Sequence, residues 1–374
     1  MHALLRCRRL ASRRLFSSIP SKMRVVEVKQ QNNDPPTATP DAQRRRRPGP
    51  DSLHVTEAPT PEVGEGEVLV KVATAGVNRP DVLQRLGLYP PPPGHSPYIG
   101  LEVAGTVVAV GPSVPESPGL SVGDSVMALA NGGGYAEYCA VPHGQCLDIP
   151  SNIDMIQAGC IPETFFTVWH NLFQQQNVFG TSLKKGDSVL IHGGTSGIGS
   201  TAIQMAKSMG LTPYATAGST KKCEACLELG AVAAINYKTE DFVMRMKELT
   251  NGKGLNLVLD MVAGPYLTKN LQVLATEGRI AVIGSLGGVH SELSMRDLMR
   301  RRLTVGGSTL RARDNAIKAK IASDLKEHIW PMIEKGQISV RVDTMFDMEE
   351  AAEAHRLMES SRHIGKIALR ISKP

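Results

Sequence analysis

Between residues 188 and 307 the chain alternates short apolar runs with stretches of helical spacing. The runs are Val189–Ile191, Leu211–Thr216, Ala233–Tyr237, Leu255–Val262, Ile280–Gly284 and Leu303–Gly306. Six such runs with helices between them predict an α/β unit built on a doubly wound parallel sheet. From Val68 to Pro150 the rhythm is different. Short β-rich runs such as "EVLVKVATAGV", "VAGTVVAVG", "GDSVMALA" and "GGYAEYCAVP" are broken by Gly and Pro, which predicts a compact all-β unit. Met23–Val28 alternates like a first strand, with Leu53–Thr56 as its hairpin partner. Gln31–Arg47 between them is rich in Pro, Asn and charge and reads as a disordered insert. "YPPPPGHSP", Tyr89–Pro97, is a stiff loop, because proline lacks the amide donor that helix and central strand need. The last segment ends in "HIGKIALRIS", another strand, expected to rejoin the β unit. The expected division is a leader at 1–22, a β domain at 23–161, a sheet domain at 162–307 and a return at 308–374.

Charge changes this picture at one end only. The formal net charge is +6, and Met1–Lys22 alone carries five Arg and one Lys with no acid. The remainder is neutral, which argues against a nucleic-acid-binding face. "MHALLRCRRLASRRLFSSIPSK" has the Arg- and Ser-rich composition of an organelle transit peptide, so a mitochondrial location is expected, with cleavage near Phe16 or Ser17. A basic tail on a cytoplasmic protein is the alternative. No run is long and apolar enough for a membrane span. Cys7, Cys139, Cys146, Cys160, Cys223 and Cys226 form no evenly spaced framework and are expected as reduced thiols. Cys223 and Cys226 have no second pair at zinc-ribbon spacing.

The candidate chemistry begins at "HGGTSGIGSTAIQMAKSMG", His192–Gly210, directly after the first apolar run of the alternating series. Glycines there let the backbone approach a pyrophosphate whose charge sits among free amides at a helix start. Gly194, Gly197 and Gly199 shape the turn, while Ile198, Ala202, Met205 and Met209 recur at helical spacing. The spacing is G-x-x-G-x-G, so position in the series carries more weight than the pattern itself. The second run ends in "ATAGSTKK", with Gly218, Ser219, Thr220, Lys221 and Lys222 where a site for NAD normally carries a carboxylate. Hydroxyl, amide and ammonium donors suit a 2′-phosphate, which points to NADPH.

"GVNRPDVLQRLGLYPPPPG", "GLEVAGTVVAVG", "AGCIPETFFTVW", "GTSGIGSTAIQMAK", "TAGSTKK", "GAVAAINYKTEDF" and "HIGKIAL" together resemble the zinc-free quinone oxidoreductases of the medium-chain dehydrogenase/reductase superfamily, nearest to the tumour-suppressor-inducible NADPH:quinone oxidoreductase type. The resemblance covers nearly everything from Met23 to Ser372 apart from the insert. It implies a GroES-like β domain, a Rossmann domain, a cleft between them and a homodimer. It places Ser196, Gly197, Ile198 and Gly199 at the pyrophosphate, and Gly218, Ser219, Lys222 and Tyr237 around the 2′-phosphate. It sets Asn78 and Tyr89 near the nicotinamide, with Gly284, Leu286 and the stretch Ser308–Arg313, including Ser308 and Leu310, lining the rest. Zinc-dependent relatives carry Cys where Asn78 stands and His where Leu101 stands, and Cys160 alone is no three-ligand site, so no metal is expected.

Without a metal, the chemistry open to such a site is hydride transfer from NADPH to an electron-poor quinone or conjugated carbonyl, with Tyr89 donating a hydrogen bond or proton to the developing oxyanion. Two other readings stand beside it. One is a mitochondrial NADPH-dependent 2-enoyl-thioester reductase. The other, of a different class, is an RNA- or partner-binding role for Arg44–Arg47.

Overall fold

The computed structural model describes residues 19–29, 47–115, 119–174 and 183–372. The expected cleavage site and Arg44–Arg46 of the insert lie outside the described residues. Lys22, assigned to the leader above, already opens the first strand, β1 (Lys22–Val28), which pairs antiparallel with β2 (Leu53–Pro59).

Six strands form the parallel sheet: β8 (Ser188–Ile191), β9 (Thr212–Ala217), β10 (Ala233–Asn236), β11 (Leu255–Asp260), β12 (Leu274–Val282) and β13 (Thr304–Gly307). Their spatial order, β10-β9-β8-β11-β12-β13, reverses between β8 and β11, and every pairing is parallel. This is the Rossmann order, with its crevice outside the carboxyl ends of β8 and β11. Both faces are covered. Val189 and Ile191 enter one apolar cluster while Leu190, between them, enters another; Leu257 and Leu259 oppose Val258 in the same way. Burial on both sides is why these strands read as unbroken apolar runs. β12 starts six residues before the run Ile280–Gly284 that marks it, because its polar, exposed opening around Glu277 breaks the apolar pattern.

The second sheet is the GroES-like domain, in the order β14-β15-β3-β4-β5-β7 with β6 also on β3. Its members are β3 (Glu67–Val77), β4 (Glu102–Val110), β5 (Ser125–Leu129), β6 (Tyr138–Pro142), β7 (Cys146–Asp148), β14 (Val342–Asp347) and β15 (Lys366–Arg370). β15 pairs antiparallel with β3.

The two sheets share one core. Ala104, Met127, Leu129 and Leu147 of the β domain sit in the same cluster as Val189, Ile203 and Leu257 of the Rossmann sheet, joined by Phe165, Phe166 and Trp169 of the helix Pro162–Leu172. That helix also meets the helix Gly197–Ser208 through a Thr201–Thr164 hydroxyl bond of 3.2 Å. Gly365 N donates to Thr195 O at 2.8 Å, tying the approach to β15 directly to the glycine turn.

Candidate active site

The glycine turn follows β8 at the carboxyl edge of the sheet. Gly193 adopts φ +65°, a conformation that favours glycine. A Cβ on Gly199 would stand 2.2 Å from Gly193 O, so that position admits no side chain. Gly194 serves packing instead, over Cys226 and Ala215, which also accounts for Cys226 as a buried packing residue. Ser196 caps the helix by accepting from Gly199 N at 3.0 Å. The amides of Gly197 and Ile198, first in the helix, are left as donors for an anion.

Gly218 and Ser219 follow β9. A Cβ on Gly218 would lie 2.8 Å from the Tyr237 hydroxyl and 3.5 Å from Lys238, a residue that the motif alone does not single out. Ser219 caps the next helix through Lys222 N at 3.3 Å. The Lys222 ammonium reaches across to the carbonyl of Ser361 at 2.6 Å, and burial lowers its pKa against the pull of Asp343. No carboxylate stands at the end of β9 itself, where Ala217, Gly218 and Ser219 follow one another. Gly218, the Ser219 hydroxyl, Lys222 and the Tyr237 hydroxyl are thus the groups that stand at the end of β9.

Below the turn lies a buried ion pair. Glu102, fully buried at the start of β4, accepts from Lys366 Nζ at 2.6 Å and from Asn78 Nδ2 at 2.8 Å on Oε1, and from Glu163 N at 2.9 Å on Oε2. Lys366 Nζ also donates to Asn78 Oδ1 at 2.5 Å. Burial works against the charge on Lys366, but Glu102 outweighs it and the pKa is raised. Gly76 makes room for the pair, since a Cβ there would stand 2.0 Å from Glu102 Oε1. A Cβ on Gly197 would meet Lys366 Cδ at 2.7 Å, so the lysine stem runs directly beneath the pyrophosphate turn.

Asn78 is thereby committed. Its amide oxygen takes the ammonium, its nitrogen serves Glu102 and, at 3.4 Å, Gly76 O. Both hydrogens of its amide are therefore engaged within the chain. Its backbone N–H donates to Asp81 Oδ2 at 2.7 Å, and Tyr135 donates to the same oxygen at 3.1 Å. Burial pushes Asp81 up to about 7, opposed by the Asn78 bond and Lys366.

Tyr89 stands over the Arg311 guanidinium, 5.6 Å from the ring centre. Burial pushes its phenol up to about 12, so it keeps its proton and remains a donor. Burial likewise raises Glu163 to about 8 and the Cys160 thiol to about 12. Among the other residues proposed from sequence, Gly284 lies against Met261 O, and exposed Leu286 donates its N–H to that same carbonyl at 3.2 Å. Ser308 is taken by Asn171 at 2.8 Å and Leu310 is buried in the shared core, so these two brace the domain junction through the contacts they make.

Known proteins with this architecture decide the family. Residues 64–151 match the alcohol dehydrogenase GroES-like domain and residues 197–326 match the zinc-binding dehydrogenase domain. Human quinone oxidoreductase is 30% identical over 325 residues, covering 86% of this chain and 94% of that one. The chain belongs to the quinone oxidoreductases of the medium-chain dehydrogenase/reductase superfamily. Among solved structures, the Escherichia coli quinone oxidoreductase complexed with NADPH is similar to this quinone oxidoreductase family member, with a TM-score of 0.77, 26% identity and coverage of 93% and 99% of the two chains. A phenolphthiocerol/phthiocerol polyketide synthase of Mycobacterium tuberculosis is 32% identical over 323 residues, 86% of this chain and 14% of its own, so the chain spans about a seventh of that relative.

The carboxyl of Asp81 holds a proton in the folded chain that the unfolded chain has already lost between its ordinary value near 3.8 and about 7. Its contribution to stability is therefore present below that window and lost as pH rises through it, at about 1.36 kcal/mol per unit of pKa difference. Asp81→Asn keeps an acceptor for Asn78 and removes the titration. Urea denaturation of both proteins from acid to mildly alkaline pH should show the variant gaining on the wild type by about 2 to 4 kcal/mol across that window.

Proposed function

We propose that this chain reduces quinones and related conjugated carbonyl acceptors with NADPH and without a catalytic metal. The observation that carries the reading is the Lys366–Glu102–Asn78 cluster. At position 78, where zinc-dependent relatives have Cys, the side chain holds a protein ammonium; Leu101 offers no ligand atom, and Cys160 keeps its proton. Such a site lacks a Lewis acid of its own, so the acceptor must already be electrophilic. The bound nicotinamide supplies the hydride. The chain's residues do the rest: the Gly197 and Ile198 amides and Lys222 hold phosphates, the Asn78 knot fixes the loop beneath, and Tyr89 offers its O–H to the oxygen that gains charge.

The assay follows NADPH oxidation with ortho- and para-quinones, simple enones and a 2-enoyl-CoA, repeated with NADH. Turnover of quinones is expected, and a preference for enoyl-CoA by orders of magnitude would sink the reading in favour of a thioester reductase. Lys222→Ala should raise KM for NADPH by about tenfold or more, the worth of one charge-assisted bond, while leaving that for NADH within about twofold.

The homodimer is proposed to form at the free edge of the Rossmann sheet. β13 ends the sheet, and the helix Met295–Arg301 beside it buries none of its residues, leaving Met295 and Met299 exposed together with Leu286 and Val289. Sedimentation velocity should give a dimer for the wild type and a monomer for a variant carrying Val289→Glu and Met299→Glu.

We also propose a mitochondrial location from the leader. Residues 1–22 fused to a fluorescent protein should carry it into mitochondria, and a diffuse cytoplasmic signal would contradict this. No helix among the described residues is long and apolar enough to cross a membrane.

A further inference from the structure

Beside Tyr89, two cations, Arg311 and Lys318, converge on Asn131, with His95 next to them. Arg311 is 6% exposed; its Nε donates to Asn131 O at 3.0 Å and its Nη1 to Gln84 Oε1 at 2.8 Å. Lys318 is fully buried, with Nζ donating to Asn131 Oδ1 at 2.7 Å and to Arg311 O at 2.9 Å. His95, from the proline-rich loop, hydrogen-bonds the Asn131 backbone, and burial together with the two cations lowers its pKa.

The hydrogen-bond acceptors these cations find are neutral. Among the described residues no carboxylate forms an ion pair with Arg311 or Lys318; Glu163 acts on both, Asp81 on the first and Asp314 on the second, only at longer range. Two buried polar atoms in this one place have no hydrogen-bond partner among the described residues, Arg311 Nη2 and His95 Nδ1. Burying a cation without a counter-charge costs several kcal/mol, and two side by side also repel. Gly132 lets the backbone pass close to the orphaned nitrogen: it adopts φ +140°, and a Cβ there would stand 2.6 Å from Ser96 O and 3.0 Å from Arg311 Nη2.

We propose that this cluster is an anion subsite for the acceptor, which receives a carboxylate or sulfonate substituent of a quinone or enone ring lying over Tyr89. Arg311 Nη2 and the Lys318 ammonium supply the charge. The stacking of Tyr89 on the Arg311 guanidinium makes the subsite continuous with the reacting end of the cleft. The inference rests on the quinone reductase reading and adds to it a class of acceptor, the anionic quinones.

The test compares naphthoquinone sulfonate with its uncharged parent naphthoquinone in the NADPH assay. The wild type should favour the sulfonate in kcat/KM by about tenfold or more, as one charge-assisted bond would give. In Arg311→Met and in Lys318→Met that ratio should fall to near one. Equal kcat/KM for the two quinones in the wild type, or an equal fall for both in the variants, overturns the proposal. If a variant does not fold, calorimetric titration of the wild type with naphthalene sulfonate, against uncharged methylnaphthalene, decides. Tighter binding of the sulfonate by about tenfold supports the subsite, and equal binding, as expected if only water fills it, overturns it. That titration reads the subsite even where no quinone is reduced, so the subsite and the quinone activity fail separately.

Discussion

One buried carboxylate ties three distant elements of the site together. Glu102 holds the Asn78 amide on one side, the Lys366 ammonium on the same oxygen, and the first turn of the helix Pro162–Leu172 on the other. Those partners belong to the loop after β3, to β15 at the end of the chain, and to the helix that carries the shared core. Two ions removed from water are costly, and their attraction offsets that cost only where further bonds satisfy their remaining atoms. Here the further bonds come from backbone and amide groups, so the pair is complete. Because the Lys366 stem also lies under Gly197, the ion pair sets the height of the pyrophosphate turn relative to the acceptor loop.

Much of this was legible in the sequence, and the division follows the range of the forces. The Rossmann strands announce themselves because each is covered on both faces, and the phosphate turn because only glycine tolerates Gly193's backbone and Gly199's close approach. These are local constraints, written in adjacent residues. Glu102 and Lys366 are 264 positions apart, and nothing near either one hints at the other. "GLE" draws attention to Leu101 as a vacated ligand position, and "HIGKIAL" to a strand, so each charge passes as part of something else. The resemblance draws attention to Asn78, but only the fold shows its amide engaged by Lys366 and Glu102. Arg311 is carried within a block of resemblance, and only the fold reveals that it is buried without an acid.

The electrostatics of the cleft follow a single bias. Burial raises the acids Asp81 and Glu163 to about 7 and about 8, and the phenol of Tyr89 to about 12, so each tends to keep its proton. The cations behave differently: Glu102 keeps Lys366 charged, and burial lowers the Arg311 pKa without removing the charge that a guanidinium keeps in proteins. Neutral acids beside fixed cations make an interior that resists acquiring positive charge and accepts negative charge readily. Hydride transfer to a neutral ring delivers one unit of negative charge to an oxygen, so the bias favours the product side of that step. In metal-dependent relatives a divalent ion would impose the same polarity from a single point. This chain spreads it over Arg311 and the O–H of Tyr89, which suits an acceptor that needs charge stabilised across a ring rather than a single alkoxide bound to an ion.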